Sequence, residues 1–166
     1  MSHSDTSNPL PAVTAPSAKV PGNACDCHCH VFGPYDDFPL ALERTYLPPE
    51  ATPQAYLSML DTLGLRRGVL VQGSAHGLDN RAMLNALEIG GDRLRGVAVI
   101  PGDTTPPALE RLYEQGVRGL RFARLLDAGG APRYKNTVDV REMERLLPEM
   151  RRIGLHAQLW IGIEQL

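Results

Sequence analysis

From Ala24 onward, short apolar runs alternate with amphipathic stretches. Ala24–His30 reads as a strand, followed by a long loop over Phe32–Thr52 marked by Gly33-Pro34, Asp36-Asp37 and Pro48-Pro49. Thr52-Pro53 has the form of an N-cap with proline at the first helical position. The helix that follows places Ala55, Met59, Leu60 and Leu63 near one face and stops at Gly64. Gly68–Ser74, Gly96–Ile100, Val117–Phe122 and Leu155–Gly162 read as four further strands, because they are short and rich in β-branched or apolar residues. Helices are expected over Asp79–Ile89, over Pro106–Gln115 and across VREMERLLPEMRRIG, with Pro148 inside the last.

The order is βαβαβαβαβ, which implies a parallel sheet with right-handed crossovers and an α/β fold. A doubly wound sheet and a (β/α)8 barrel both fit. No glycine-rich dinucleotide fingerprint follows the first strand, which weighs against a Rossmann fold. The chain ends four residues after the fifth strand, so the expectation is a barrel truncated after about five strands.

The 166 residues suffice for one domain with a core. The net charge of -2 gives no reason to expect nucleic acid as a partner. No apolar run approaches the ~20 residues of a membrane span, so no membrane partner is expected. Residues 1–22 are rich in Pro, Ser and Thr and lack the apolar segment of a secretory signal; they read as a disordered leader. The three cysteines are confined to Cys25, Cys27 and Cys29, which is no disulfide framework and suits a reducing cytoplasm.

The segment CDCHCH carries the chemistry. On a strand of period two, Asp26, His28 and His30 share one face, and Cys25, Cys27 and Cys29 share the other. The histidines then point to the carboxyl end of a parallel sheet, where such folds place their sites. A cluster of thiolates and imidazoles around one metal is the competing reading, and it requires the segment to be a loop.

DCHCHVFGP resembles the Asp-x-His-x-His signature of the amidohydrolase superfamily. The nearer resemblance is to the amidohydrolase 2 branch that contains 2-pyrone-4,6-dicarboxylate lactonase and sugar-lactone hydrolases. RTYLPPEATPQAYLSMLDTLGLRRGVLVQGSAHGLDNRAML and GVRGLRF resemble later segments of that branch, in order. The resemblance implies that residues 23–166 form the N-terminal part of a TIM barrel acting on a carboxylated lactone. It also implies a further histidine on strand six and a catalytic aspartate on strand eight, neither of which is in this sequence. His28 and His30 are then the catalytic candidates, polarising the lactone carbonyl without a metal. Zn2+ held by Asp26, His28 and His30 is the alternative.

Arg121 on the fourth strand is the expected grip on a substrate carboxylate, with Arg124 as a second clamp. Ser74 and His76, in a small-residue turn after the second strand, are candidate substrate hydrogen bonders. Tyr46 resembles a substrate-contacting tyrosine of the branch. Trp160 is placed to wall the pocket, whereas His156 and Arg118 lie at the other strand ends and read as structural. Three alternatives stand beside the lactonase reading. One is a metal-dependent amide hydrolase or decarboxylase of the same superfamily. Another is a non-catalytic half-barrel that self-associates through its exposed sheet edge. The third is a cysteine-centred metal module. With the expected base absent, this polypeptide alone is expected to have negligible lactonase activity.

Overall fold

The computed structural model describes residues 10–163; the part of the leader reading that falls on residues 1–9 lies outside the described residues. Residues 10–22 adopt no helix or strand, and Val20 lies beside Gly64 at the end of the first helix.

The elements are β1 (Cys25–Cys29), α1 (Pro53–Leu63), β2 (Arg67–Val71), α2 (Arg81–Gly90), β3 (Leu94–Ala98), α3 (Pro106–Glu114), β4 (Val117–Arg124), α4 (Met143–Ile153) and β5 (His156–Ile161). Short 3-10 turns over Gly91–Arg93 and Val140–Glu142 precede β3 and α4. The start of α1 follows the local chemistry. Thr52 Oγ1 accepts from the amide of Ala55, Pro53 fills a position whose N–H would have no helical partner, and Gly64 closes the helix at φ 72°. Pro148 is accommodated within α4.

All strand pairs are parallel, and the strands lie in chain order, β1-β2-β3-β4-β5. A doubly wound sheet reverses direction from its first strand; an unreversed order is that of one arc of a (β/α)8 barrel. Because the crossovers share one hand, the helices cover one face of the sheet. The core lies there: Leu60 of α1, Met83 of α2, Leu109 of α3 and Met150 of α4 meet Leu70 and Leu120 of the strands, all at most 1% exposed. Register partners share a face, so Leu70 and Gly96 point to the helices, while Arg121 and Gln158, and Ala123 and Trp160, point to the opposite, inner face. That inner face and the loops at the carboxyl ends of the strands hold the candidate site residues.

Candidate functional site

The first strand does not alternate through its full length. Asp26 pairs with Gly68 and Cys29 with Leu70, so three steps along β1 match two along β2, a bulge between them. The bulge corrects the expected faces. Asp26 turns to the helix side with Gly68, where its Oδ2 accepts a 3.0 Å hydrogen bond from the Tyr56 hydroxyl of α1. Cys29 also packs on the helix-side core, whereas Cys27 is exposed and donates its thiol to the Cys25 carbonyl at 3.6 Å. His28 and His30 stay together, their rings edge to face with centroids 5.1 Å apart.

Both imidazoles are held below the ordinary value of 6.5, first by burial. Arg121 adds to this on both, since its positive charge opposes a second one nearby. They are therefore neutral at neutral pH. His30 Nδ1 lies 2.7 Å from the Val71 carbonyl oxygen. A carbonyl only accepts, so Nδ1 carries the proton and Nε2 keeps a lone pair. Neutral His30 thus offers an acceptor rather than a donor to a ligand. His28 is exposed, and among the described residues its ring nitrogens have no hydrogen-bond partner.

Across the inner face, the Arg121 guanidinium stacks 4.3 Å over the Trp160 ring, and Trp160 packs on Tyr134 at 4.6 Å. Burial lowers the pKa of Arg121, yet a guanidinium stays charged at neutral pH. Its Nε is buried without a hydrogen-bond partner, as is Oε1 of its register neighbour Gln158. A cavity of about 20 Å3, room for one water, lies between Gln72, Ser74, Arg121, Asn136, Val138 and Trp160.

The loops complete the surroundings. Phe32 rests on Gly73, where an added Cβ would come within 2.6 Å of its ring. Tyr46 stands edge-on to Phe32 at 6.3 Å, and its phenol is near enough to Arg121 to act on its charge. His76 stacks on the other aromatic side of Phe32 at 5.7 Å, only 3% exposed, with Nδ1 donating to the Pro39 carbonyl at 3.2 Å. Its Nε2 is buried without a partner. Gln72 donates to the carbonyls of Gly77 and Asp79 and so shapes this turn.

Asn136, at φ 60°, joins three loops: its Nδ2 donates to the Glu43 carbonyl and, at 3.4 Å, to the Ser74 carbonyl. Lys135 reinforces the link through Thr45 Oγ1 and Glu43. Of the sequence candidates, His28, His30, Tyr46, Ser74 and Arg121 are gathered here. His76 lies behind Phe32. Arg124 falls on the helix-side register with Ile161 and approaches Asp139 at 3.9 Å. His156 lies over Gly119 at the amino end, and Arg118 stacks on Tyr113 at 3.9 Å.

The zinc alternative can be judged from the donors. His30 has the tautomer a ligand needs, with Nδ1–H anchored and Nε2 free. A catalytic zinc site uses about three protein ligands. The bulge removes Asp26 from the set, and among the described residues no group of three or more His, Cys, Asp and Glu is gathered to hold an ion. These residues by themselves do not fit the metal, and among the described residues no cysteine-centred cluster forms.

Four contributors were not singled out from the sequence. Tyr56 reads as one more member of an amphipathic helix, and Phe32 as a loop residue. Asn136 sits in a polar loop. Gln158 did carry a signal, since it lies two residues before Trp160 on a strand of period two and so shares its face.

The amidohydrolase family model matches residues 25–165. A 2-pyrone-4,6-dicarboxylate hydrolase of Comamonas testosteroni is 44% identical over 115 residues, covering 68% of this chain and 38% of that protein. A 4-sulfomuconolactone hydrolase of Rhizobium radiobacter is 42% identical over 107 residues, 64% of this chain and 36% of its own. Among solved structures, a probable 2-pyrone-4,6-dicarboxylic acid hydrolase from Acinetobacter baumannii superposes with a TM-score of 0.67 at 34% identity, covering 82% of this chain and 49% of that one. The chain spans less than half the length of each of these relatives. A family match over most of the chain, together with a five-stranded arc of the barrel that carries the histidine pair, shows that this chain belongs to the amidohydrolase family, in its amidohydrolase 2 form.

Proposed function

We propose that this chain forms the carbonyl- and carboxylate-binding part of an enzyme that hydrolyses a carboxylated lactone, with His28 and His30 at the reacting carbonyl and Arg121 on the substrate carboxylate. The observation that carries this reading is the unpaired Arg121 Nε on the inner face, close enough to depress both imidazoles. An ion pair with a protein carboxylate is the ordinary fate of a half-buried arginine. Here Trp160 covers the guanidinium and its Nε–H is left for an oxygen acceptor. The names of the relatives point the same way, since 2-pyrone-4,6-dicarboxylate is a lactone bearing carboxylates.

In this chemistry water attacks the lactone carbonyl carbon and the ring C–O bond breaks. The proton lost by water goes to an acceptor, and the departing ring oxygen takes one up. Neutral His30 presents Nε2 as an acceptor that orients or deprotonates the water. His28, with both ring nitrogens uncommitted, donates to the carbonyl oxygen as charge develops there. Tyr46 and Ser74 line the approach. His76 fixes Phe32, and through it the ring environment of His30 and Tyr46.

No helix among the described residues is long and apolar enough to cross a membrane. A cytoplasmic setting belongs to the proposal, supported by the confinement of all three cysteines to one short segment, which is no disulfide framework. So does self-association through the sheet edge at β5, where Leu159 is 44% exposed; a monomeric elution volume would remove it.

The test uses Trp160, the single tryptophan of the chain, as the reporter beside Arg121. Titration with 2-pyrone-4,6-dicarboxylate is expected to change its emission saturably. Arg121→Met should weaken binding by about ten- to a hundredfold, as loss of a charge-assisted hydrogen bond implies. Hydrolysis is followed in parallel and is expected to be negligible for the 166-residue chain by itself; substantial turnover by it would overturn that expectation. Unchanged affinity in Arg121→Met would refute the carboxylate grip.

A further inference from the structure

The space beside Arg121 is too small for a lactone carboxylate. The cavity that Arg121 lines with Ser74, Asn136, Val138 and Trp160 measures about 20 Å3 and admits one water. Pockets that take small molecules run to roughly 300–1,000 Å3. Cavities of about 420, 670 and 810 Å3 lie elsewhere, and Arg121 lines none of them. A carboxylate therefore reaches the unpaired Nε only if part of this wall moves. Arg121 and Trp160 stand on strands, whereas Asn136 and Val138 belong to the loop between β4 and α4.

Backbone bonds clamp that loop at two points. The Arg133 amide donates to the Leu125 carbonyl at 2.8 Å, and the Ala123 amide donates to the Val138 carbonyl at 2.8 Å. Between these clamps, among the described residues, no backbone–backbone hydrogen bond joins residues 134–137 to another segment. Side chains make the holds instead. Tyr134 packs on Trp160 at 4.6 Å. Asn136 Nδ2 donates to the carbonyls of Glu43 and Ser74. The Lys135 amide donates to Thr45 Oγ1 at 3.1 Å, and its ammonium meets Glu43 in an exposed ion pair that contributes little. A segment held by a few side-chain contacts opens locally, well short of global unfolding.

We propose that residues 134–137 are a gate over the carboxylate pocket, latched by Tyr134 on Trp160 and by Asn136 on the Glu43 and Ser74 carbonyls. This rests on the carboxylate role of Arg121 proposed above. Trp160 touches both Tyr134 and Arg121, so its emission reports latch and ligand together.

Stopped-flow mixing of the whole protein with 2-pyrone-4,6-dicarboxylate, read by Trp160 emission, measures association and dissociation separately. Asn136→Gly removes both amide holds and is expected to speed association about tenfold, the worth of one hydrogen bond. Tyr134→Leu releases the other latch and should act the same way, so a folding defect in one variant leaves the second to decide. Loosening a gate raises the association rate, because the free protein is open more of the time. Loosening a fixed wall that only contacts the ligand changes dissociation alone. Unchanged association in both variants overturns the gate. Undiminished affinity in Arg121→Met, with faster association in Asn136→Gly, would keep the gate and remove the carboxylate grip. No emission change at any concentration removes both.

Discussion

Tyr56 shows how one side chain can redirect a motif. Its ring is 5% exposed under α1, and its hydroxyl lies where a Cβ on Gly68 would come within 2.1 Å. Gly68 is therefore a packing requirement, because any larger residue displaces the phenol. Burial, then the nearby Asp26 carboxylate, pushes the Tyr56 hydroxyl well above its ordinary range, so it stays protonated and donates. Tyr56→Phe is expected to cost about 1 kcal/mol, the usual net worth of such a bond, read as a shift of the urea midpoint. Gly68→Ala should cost about 1–3 kcal/mol by overpacking. An unshifted midpoint in Gly68→Ala would mean that Tyr56 has somewhere else to go. In the sequence, Asp26 is spaced like a partner of His28 and His30. The bulge that sends it to Tyr56 depends on α1 docking and leaves no trace in the local pattern.

Among the elements, the strands and helices follow their local signals closely, and the loops do not. Pattern and capping placed α1 within a residue of its observed end, because Thr52, Pro53 and Gly64 act locally. The loop between β4 and α4 reads only as polar sequence, yet it is tied to the β1–α1 loop about ninety positions earlier through Lys135, Asn136, Glu43 and Thr45. Asn136 holds a left-handed conformation that glycine adopts more easily, so its side-chain amide must justify the choice. Asn136→Gly is expected to keep the fold and release the tie. Amide hydrogen exchange should rise in residues 41–46 as well as in 131–137. Exchange confined to the mutated loop would show that the two loops move separately.

For the molecule as a whole, His28, His30 and His76 all have pKa values held low in the folded state, chiefly by burial. Below about 6.5, the ordinary value, the unfolded chain binds protons that the folded chain refuses, so stability falls as pH drops through that value toward the depressed folded ones. Below those the histidine contribution levels off. The thermal midpoint is expected to decline between pH 7 and pH 5, and less so in His76→Gln; an undiminished decline would assign the effect elsewhere. The sequence by itself determined the parallel α/β class, the order of elements and the histidine-bearing strand, because periodicity, caps and turns act over a few residues. Tertiary structure decided which way Asp26 and Arg124 point. Side-chain direction there depends on bulges and register between segments far apart in the chain, and on which buried groups find partners once the strands have met.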